Sequence, residues 1–379
     1  MNVAVVGGGP AGASLAWRLA KDGAQATLFD ASHPREKPCG GGLTGKALAL
    51  LPPAPADDPL PAREVDRCRF DSGVGPWVDV TLARPVAIAG RLDLDAWLLR
   101  QAVAAGARHV AERVVEVDAG GRVRTASGRA LLFDVIVGAD GAGSLVRRTF
   151  LAPTPPERLV MAAGWYAPGQ SDMEVRFTPG LDGYLWLFPR RDHVGVGICA
   201  PLRQVPTQQL LARLEHEVAW AYPALSPDPD SARYAHTIPS PSSDPRSILE
   251  LAGPRWALVG DAGALCDPIT GEGIYPALRS AQVLAETLCA DGSPARYPER
   301  LLQALGHELL RAARVRARFY APGFAQRVVR YAAWSPAIRQ VLGDLLLGEQ
   351  GYLGLERRLL LAGPRFLLEA ACSRARRIA

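Results

Sequence analysis

A glycine-rich stretch close to the N-terminus has the spacing of a phosphate-binding turn. Gly7, Gly9 and Gly12 follow the pattern Gly-x-Gly-x-x-Gly directly after an apolar run, with Pro10 and Ala11 between them. Gly7 permits a tight turn, Gly9 lets the backbone approach a pyrophosphate, and Gly12 allows a helix to pack closely on a strand. The helix N-terminus presents free N–H groups and the positive end of its dipole to phosphate oxygens. These five residues predict a dinucleotide site.

An acidic residue completes this pattern. Asp30 ends the second apolar run, about 20 residues beyond Gly9, where a carboxylate accepts a hydrogen bond from a ribose hydroxyl. A glycine triplet alone is weak evidence, and a glycine-rich structural turn is the alternative. The order of strand, turn, helix, strand and acidic residue favours dinucleotide binding.

A second candidate for chemistry is a run of alternating aromatic residues. Tyr184, Trp186 and Phe188 are spaced by two, so in a strand their side chains point to one face. Such a face can hold an apolar chain or stack on an aromatic substrate, which makes these three the predicted substrate-binding residues. A packed sheet–sheet core is the alternative.

Several elements must position these residues. The apolar runs at 3–6 and 26–29 flank a helical stretch at 11–21, and this strand–helix–strand order predicts a parallel sheet. A further strand is predicted at 108–117, and further buried strands at 131–138 and 256–259. Between about 155 and 240, alternating segments separated by Gly and Pro turns predict antiparallel strands.

Composition bounds the class of protein. The chain has 379 residues, 48% of them hydrophobic and 21% charged, which predicts an ordinary globular protein of two domains and excludes a disordered or fibrous one. Apolar runs are too short for a transmembrane helix, and the N-terminus enters a strand without a basic leader, so no secretory signal is expected. The six cysteines form no Cys-x-x-Cys pair, so neither a disulfide framework nor a zinc site is expected. This use of cysteine is typical of a protein in the reducing cytoplasm.

The net charge of +5 does not indicate a nucleic-acid partner. The basic residues are nearly all arginine, and the three lysines are Lys21, Lys37 and Lys46. This bias is typical of GC-rich coding rather than of a binding patch. The tail at 374–377 leaves open a peripheral contact with an anionic membrane, although a solvated terminus is the expectation.

Two later segments resemble motifs of group A flavoprotein monooxygenases and their relatives. The segment 135–147 contains Asp140 in an Asp-Gly motif, and Gly260 and Asp261 form a Gly-Asp motif. The resemblance implies FAD as cofactor, with the Asp261 carboxylate accepting a hydrogen bond from the ribityl chain. A glycine turn follows and enters a helix, whose dipole would stabilise an anionic reduced flavin. The predicted cofactor contacts in this turn are Gly271, Gly273 and Ile274.

Two more segments resemble the geranylgeranyl reductase family of flavoproteins. These are 37–43, with its Cys-Gly-Gly, and 183–189, with its Tyr-x-Trp-x-Phe-Pro; Arg91 followed by Asp95 also matches the family. The resemblance covers residues 1–290. It implies that Cys39, Gly40 and Gly41 lie beside the isoalloxazine ring and that Arg91 lies near the cofactor. The predicted cofactor set also includes Val114, and the candidate catalytic residues are Tyr184, Trp186 and Cys39.

The resemblance implies an α/β fold with a Rossmann-like, glutathione-reductase-like FAD-binding domain, an antiparallel-sheet substrate domain and a helical C-terminal part. We expect the FAD-binding domain over 1–155, with part of the substrate domain inserted near 60–90. The antiparallel substrate domain is expected over 156–245. The chain then returns to the FAD-binding domain over 246–295, and a helical region follows over 296–379.

The family admits several reactions on a hydrophobic or aromatic substrate. The leading hypothesis is reduction of a carbon–carbon double bond, with Tyr184 as proton donor. The alternatives are hydroxylation of a small aromatic substrate or of a partner protein or peptide, and halogenation, for which a pocket lysine would have to be Lys37 or Lys46. A second Gly-x-Gly-x-x-Gly in a strand–helix–strand context is absent, so electrons are expected from NAD(P)H bound transiently or from a reductase or ferredoxin.

Three further polar residues are predicted to have structural roles. His193 and His236 fall among the antiparallel strands and are expected to be hydrogen-bonded structural histidines rather than acid–base groups. Cys266, close to the Gly-Asp motif, is expected to be a small packing residue.

Overall fold

A computed structural model describes residues 1–228 and 230–361. The strands are β1 Asn2–Val6, β2 Gln25–Phe29, β3 Gly42–Leu43, β4 Ala62–Asp71, β5 Trp77–Ala89, β6 Arg108–Val110, β7 Val114–Val117, β8 Arg122–Thr125, β9 Ala130–Leu132, β10 Val135–Gly138, β11 Leu159–Pro168, β12 Met173–Phe177, β13 Tyr184–Pro189, β14 His193–Pro201, β15 Tyr234–Pro239, β16 Ala252–Gly253 and β17 Trp256–Leu258. The α-helices are α1 Pro10–Lys21, α2 Gly45–Leu48, α3 Arg91–Ala104, α4 Leu145–Phe150, α5 Thr207–Ala221, α6 Arg246–Leu249, α7 Ile274–Asp291, α8 Tyr297–Leu301, α9 His307–Phe319, α10 Phe324–Trp334 and α11 Pro336–Leu346. Short 3-10 turns occupy 156–158, 223–225 and 260–263, a π-helical segment spans 302–306, and residues 352–361 are helical.

The first sheet confirms the predicted strand–helix–strand unit. Its order is β16-β17-β10-β1-β2-β6, and all neighbours run parallel except β16 with β17. The strand β1 is buried on both faces; α1 packs on β1 and β2, and α3 and α7 pack on α1. The carboxyl ends of β1, β10 and β17 therefore meet at one edge, which is where parallel sheets bind ligands.

The second sheet has the order β15-β11-β14-β13-β12-β4-β5-β3. Helix α5 covers one face of it with Leu210, Leu214 and Val218. The neighbouring strands β4 and β12 run parallel, so this sheet is mixed rather than wholly antiparallel. They are far apart in sequence, and no hairpin turn fixes their relative direction.

One predicted strand is divided in two. The sequence pattern predicted a single strand from Arg108 to Val117, but β6 ends at Val110 and joins the first sheet, whereas β7 joins a sheet of three strands with β8 and β9. The N–H of Glu112 donates to the carbonyl of Val110, which turns the chain between the two.

The C-terminal helices close the second sheet. Helices α10 and α11 pack on β5, where Val329, Ala332 and Leu342 join the apolar core formed with Val80 and Leu82. Within the described residues no helix is long and apolar enough to cross a membrane. The basic tail at 374–377 lies outside the described residues. The domain boundaries at 155, 245 and 295 stay a prediction.

Candidate active site

A cavity of about 1130 Å³ separates the carboxyl edge of the first sheet from the second sheet. Ligand pockets usually occupy roughly 300–1,000 Å³, so this volume can admit more than one molecule. Its wall combines the turn after β1, the loop that contains Cys39, the glycine turn before α7, the aromatic strand β13 and the C-terminal helices.

The turn after β1 is built for close approach of phosphate. Gly7 has φ +103°, a conformation that favours glycine, and a Cβ placed on Gly12 would lie 1.9 Å from the Gly7 oxygen. Gly9 precedes α1 without a side-chain cap, which leaves the first N–H groups of the helix free to bind an anion. A Cβ on Gly9 would meet atoms no nearer than 3.7 Å and would instead fill the open cradle. The turn therefore fits a pyrophosphate.

Asp30 is held as an ionised acceptor beside this turn. Its carboxylate accepts hydrogen bonds from the Gly8 N–H at 2.6 Å and from the N–H and hydroxyl of Ser32. Burial alone would raise the pKa of Asp30, but the hydrogen bonds from Ser32 and Gly8 outweigh it and lower the pKa below its usual value. A charged carboxylate at this place suits a ribose hydroxyl.

Asp261 forms a buried ion pair across the cavity. Lys37 Nζ lies 2.8 Å from Asp261 Oδ2, and the Cys266 thiol donates to Asp261 Oδ1 at 3.0 Å. Burial opposes ionisation, but the charge and hydrogen bond of Lys37 prevail and lower the pKa of Asp261 to about 2. Cys266 therefore has a polar partner beyond its predicted packing role, and Lys37 connects the Cys39 loop to the Gly-Asp motif.

Asp140 and Arg91 are held by partners of their own. The Asp140 carboxylate accepts from the Ser144 hydroxyl at 2.5 Å and the Leu145 N–H at 2.6 Å, which fixes the start of α4. Arg91 is 4% exposed and forms two 2.6 Å hydrogen bonds to the Asp95 carboxylate one turn along α3. Both residues line the cavity.

The Cys39 loop is anchored by a buried arginine from the second sheet. Arg190 donates to the Cys39 carbonyl at 2.8 Å and lies 3.3 Å from the Glu36 carboxylate. Glu36 in turn accepts the N–H groups of Arg91 and Leu92 at the start of α3. The Cys39 Sγ accepts from the Gly41 N–H at 3.3 Å. The loop therefore presents Cys39 to the cavity in a fixed conformation.

The three aromatic side chains of β13 form one wall, as their spacing predicted. Tyr184, Trp186 and Phe188 all line the cavity. A Cβ on Gly40 would lie 2.6 Å from the Phe188 ring, so the loop and the strand are in close contact. The Tyr184 hydroxyl donates to the Thr270 carbonyl in the glycine turn, and burial raises the pKa of Tyr184 well above its usual value.

Most of the predicted site residues meet at this cavity. Its wall includes Gly7, Gly9, Pro10, Ala11, Asp30, Cys39, Gly40, Gly41, Arg91, Val114, Asp140, Tyr184, Trp186, Phe188, Asp261, Gly271, Gly273 and Ile274. Two predicted cofactor contacts lie behind the wall. Gly12 packs α1 against the turn after β1, and a Cβ on Gly260 would lie 3.0 Å from Ala11 Cβ. These two glycines are needed for close packing, which a motif does not distinguish from ligand contact.

The two histidines have different surroundings. His193 Nδ1 lies 2.6 Å from the Asp192 carboxylate and its Nε2 lies 3.1 Å from Arg190, so the ring is hydrogen-bonded as expected. His236 lines the cavity, and its Nε2 is buried without a hydrogen-bond partner among the described residues, contrary to expectation. Burial lowers the pKa of His236 to about 4, which leaves the ring neutral at pH 7.

The sequence reasoning missed two groups of wall residues. Glu272 and Thr44 are polar groups in the cavity, although Glu272 stands inside the glycine turn already singled out. Strands β4, β5 and β12 and the C-terminal helices together line a hydrophobic part that we call the apolar portion: Phe70, Val86, Val175, Phe177, Phe319, Leu342 and Leu346. Alternating apolar residues in β4, β5 and β12 were the available signal for four of these seven residues.

The residues present fit FAD. The open cradle at Gly9 would hold the pyrophosphate, the ionised Asp30 would accept from a ribose hydroxyl, and Asp261 would accept from the ribityl chain. Fold and site therefore define an FAD-dependent oxidoreductase. FAD would supply hydride transfer at the aromatic wall, while the protein binds the substrate and holds a proton.

Comparison with known proteins supports this class and indicates the family within it. Residues 5–35 match the family model described as an NAD(P)-binding Rossmann-like domain. The chain is 30% identical over 323 residues to a menaquinone reductase of Mycolicibacterium smegmatis, covering 77% of each chain. It is also 30% identical over 325 residues to a geranylgeranyl diphosphate reductase of Synechocystis, covering 76% of this chain and 75% of the relative.

Solved structures share the fold. A geranylgeranyl bacteriochlorophyll reductase-like protein from Thermoplasma acidophilum superposes with a TM-score of 0.77 at 21% identity, covering 94% of this chain and 98% of the other. A flavin-dependent brominase superposes with a TM-score of 0.73 at 18% identity, covering 92% and 93%. The chain belongs to the geranylgeranyl reductase family of FAD-dependent oxidoreductases, as its Cys-Gly-Gly and Tyr-x-Trp-x-Phe-Pro segments predicted.

Proposed function

We propose that this protein reduces carbon–carbon double bonds in the isoprenoid chain of a lipid. The observation that supports the proposal is the apolar portion of the cavity, which continues from the aromatic wall of β13 to the C-terminal helices. Burial of each methylene group there contributes about 0.8 kcal/mol, so a long branched hydrocarbon chain is the ligand that such a wall favours. The two curated relatives act on molecules that have such a chain.

The chemistry needs one hydride and one proton for each double bond. FAD, when bound, would supply the hydride, and its electrons would come from NAD(P)H, a reductase or a ferredoxin. The aromatic wall holds the double bond and excludes water, and a side chain with a dissociable proton completes the new C–H bond on the neighbouring carbon. Cys39, fixed against the same wall, is proposed to contact the reacting region rather than to react.

The test is anaerobic turnover with defined lipids. FAD-loaded protein, reduced chemically, is incubated with geranylgeranyl diphosphate or with menaquinone, and the products are separated and weighed by mass spectrometry. We expect the mass of two added hydrogens per reduced bond. Oxygen-dependent product carrying an added hydroxyl, with no reduced lipid, would overturn the proposal in favour of a monooxygenase.

The lysines do not favour halogenation. Lys37 lines the cavity but is paired with Asp261, and Lys46 stands 5.8 Å over the Tyr275 ring outside the cavity wall. The likeness to the brominase therefore indicates a common fold. Co-purification of a partner protein in the same preparation would instead favour a peptide substrate.

A further inference from the structure

Glu272 is a carboxyl group that the glycine turn places in the cavity wall. It lies between Gly271 and Gly273, two of the predicted cofactor contacts, just before α7. The Asp267 N–H donates to the Glu272 carbonyl at 2.9 Å, and the Gly271 N–H donates to the Asp267 carbonyl at 3.0 Å. These bonds close the turn, so the Glu272 side chain extends from a fixed backbone.

The other carboxyl group of the turn is already satisfied. Asp267 Oδ1 accepts from the N–H groups of Ile269 and Thr270 at 2.8 and 2.9 Å, and Tyr352 Oη lies 3.2 Å from the same atom. Among the described residues, by contrast, the Glu272 carboxyl has one hydrogen bond, which the Thr44 hydroxyl donates to Oε1 at 3.2 Å. The second carboxyl oxygen, Oε2, is therefore the acid–base atom of this turn that is left to contact a substrate.

The surroundings keep a proton on Glu272 near neutral pH. Burial, followed by the charge of Asp267, raises its pKa from 4.5 to about 7, against the opposing effects of the Thr44 hydrogen bond and of Lys46. The phenols of Tyr275 and Tyr352 are the other titratable groups facing it. An acid of this strength is matched to proton donation at physiological pH.

The competing donors are less suitable. The Tyr184 hydroxyl proton is engaged by the Thr270 carbonyl, and burial makes that phenol a weaker acid than usual. His236 also lines the cavity, but its lowered pKa of about 4 leaves the ring neutral at pH 7, and a neutral imidazole is a poor proton donor. Tyr184 therefore serves as a wall residue that also anchors the glycine turn.

We propose that Glu272 is the catalytic acid that donates the proton to the lipid double bond. The inference rests on the proposed function. The electron pair of the double bond takes the proton from the Glu272 carboxyl and forms one C–H bond, and hydride from reduced FAD forms the other. This would leave FAD oxidised, and a nicotinamide or ferredoxin reductant would supply the two electrons that reduce it again, while solvent returns the proton to the Glu272 carboxylate.

The test compares Glu272→Gln with Glu286→Gln, the same change on the exposed face of α7. Single-turnover reduction of geranylgeranyl diphosphate should slow by about 100-fold or more in Glu272→Gln and remain at the wild-type rate in Glu286→Gln. The wild-type rate should fall tenfold per pH unit above pH 7, and the variant rate should not. A Glu272→Gln enzyme within threefold of wild type, with the same pH profile, overturns the inference.

Two further measurements keep the result independent of folding and of the proposed function. Lys46→Met removes an exposed positive charge that lowers the pKa of Glu272, so the alkaline limb of the pH profile should move to higher pH. Infrared titration of the FAD-free protein, wild type minus Glu272→Gln, should show a carboxyl group that titrates near pH 7; titration at an ordinary pH overturns the inference. Absence of product from the wild type instead refutes the proposed function.

Discussion

Gly197 provides a sharp test of the aromatic wall. It lies opposite Trp186 in the ladder between β13 and β14, and a Cβ added there would lie 2.1 Å from the indole ring. Carbon atoms normally approach to about 3.5–4.0 Å, so Gly197→Ala must move the ring by more than an ångström. Because Trp186 lines the cavity, the displaced indole takes space from the substrate.

The size of the effect follows from this displacement. Overpacking costs about 1–3 kcal/mol, and we expect the free energy of unfolding to fall within that range. If the displaced indole leaves no room for two methylene groups of the lipid, binding weakens by about 1.5 kcal/mol, which raises KM roughly tenfold. The assay combines urea unfolding with steady-state reduction of geranylgeranyl diphosphate, and FAD content should equal that of the wild type.

Gly195→Ala is the matched control. Gly195 lies two residues away on the same face of β14, and a Cβ there would meet atoms no nearer than 3.7 Å. It should match the wild type in KM and in stability. If both alanine variants behave alike, the indole is not held against Gly197 and the reasoning about the wall fails.

Three further predictions concern the cofactor side of the cavity. Asp261→Ala should lose FAD on gel filtration because the acceptor for the ribityl chain is gone; full retention of FAD would remove Asp261 from the cofactor site. Gly12→Ala should abolish FAD binding and lower the free energy of unfolding by about 3 kcal/mol, since its Cβ would lie 1.9 Å from a backbone oxygen. Its control Gly45→Ala, whose Cβ would meet nothing within 4 Å, should leave both quantities unchanged. Lys37→Met should lower the free energy of unfolding at pH 7 by about 2 kcal/mol, because the pair holds the pKa of Asp261 near 2, below its usual 3.8. That stability is present above pH 4 and is lost as the pH falls through 2, so a difference in urea midpoint that stays constant from pH 7 to pH 3 would contradict the assignment.

Local sequence was sufficient for the cofactor half of the site. Gly7, Asp30 and Asp261 act through backbone turns and strand ends, and short-range spacing fixes both. The alternation of Tyr184, Trp186 and Phe188 likewise fixed their common face, because side chains alternate along any strand. Gly12 packs α1 closely, as its place in the motif predicted, and Gly260 lies behind the cavity wall against Ala11. Spacing alone does not distinguish a packing glycine from a ligand-binding glycine, because both occur in the same motif.

The catalytic surroundings depended on contacts between distant parts of the chain. Residues from separate elements take part in three of them: the Lys37–Asp261 ion pair, the hydrogen bond from Arg190 to the Cys39 loop, and the burial and charges that raise the pKa of Glu272. The apolar portion needs α11 to pack on β5, and helical periodicity alone does not say which surface a helix covers. The sequence by itself thus determined the FAD-binding fold and the family, through motifs that act within a few residues. Only the tertiary structure decided the shape of the substrate cavity and the acidity of its groups, because burial and charge arise from residues brought together by folding.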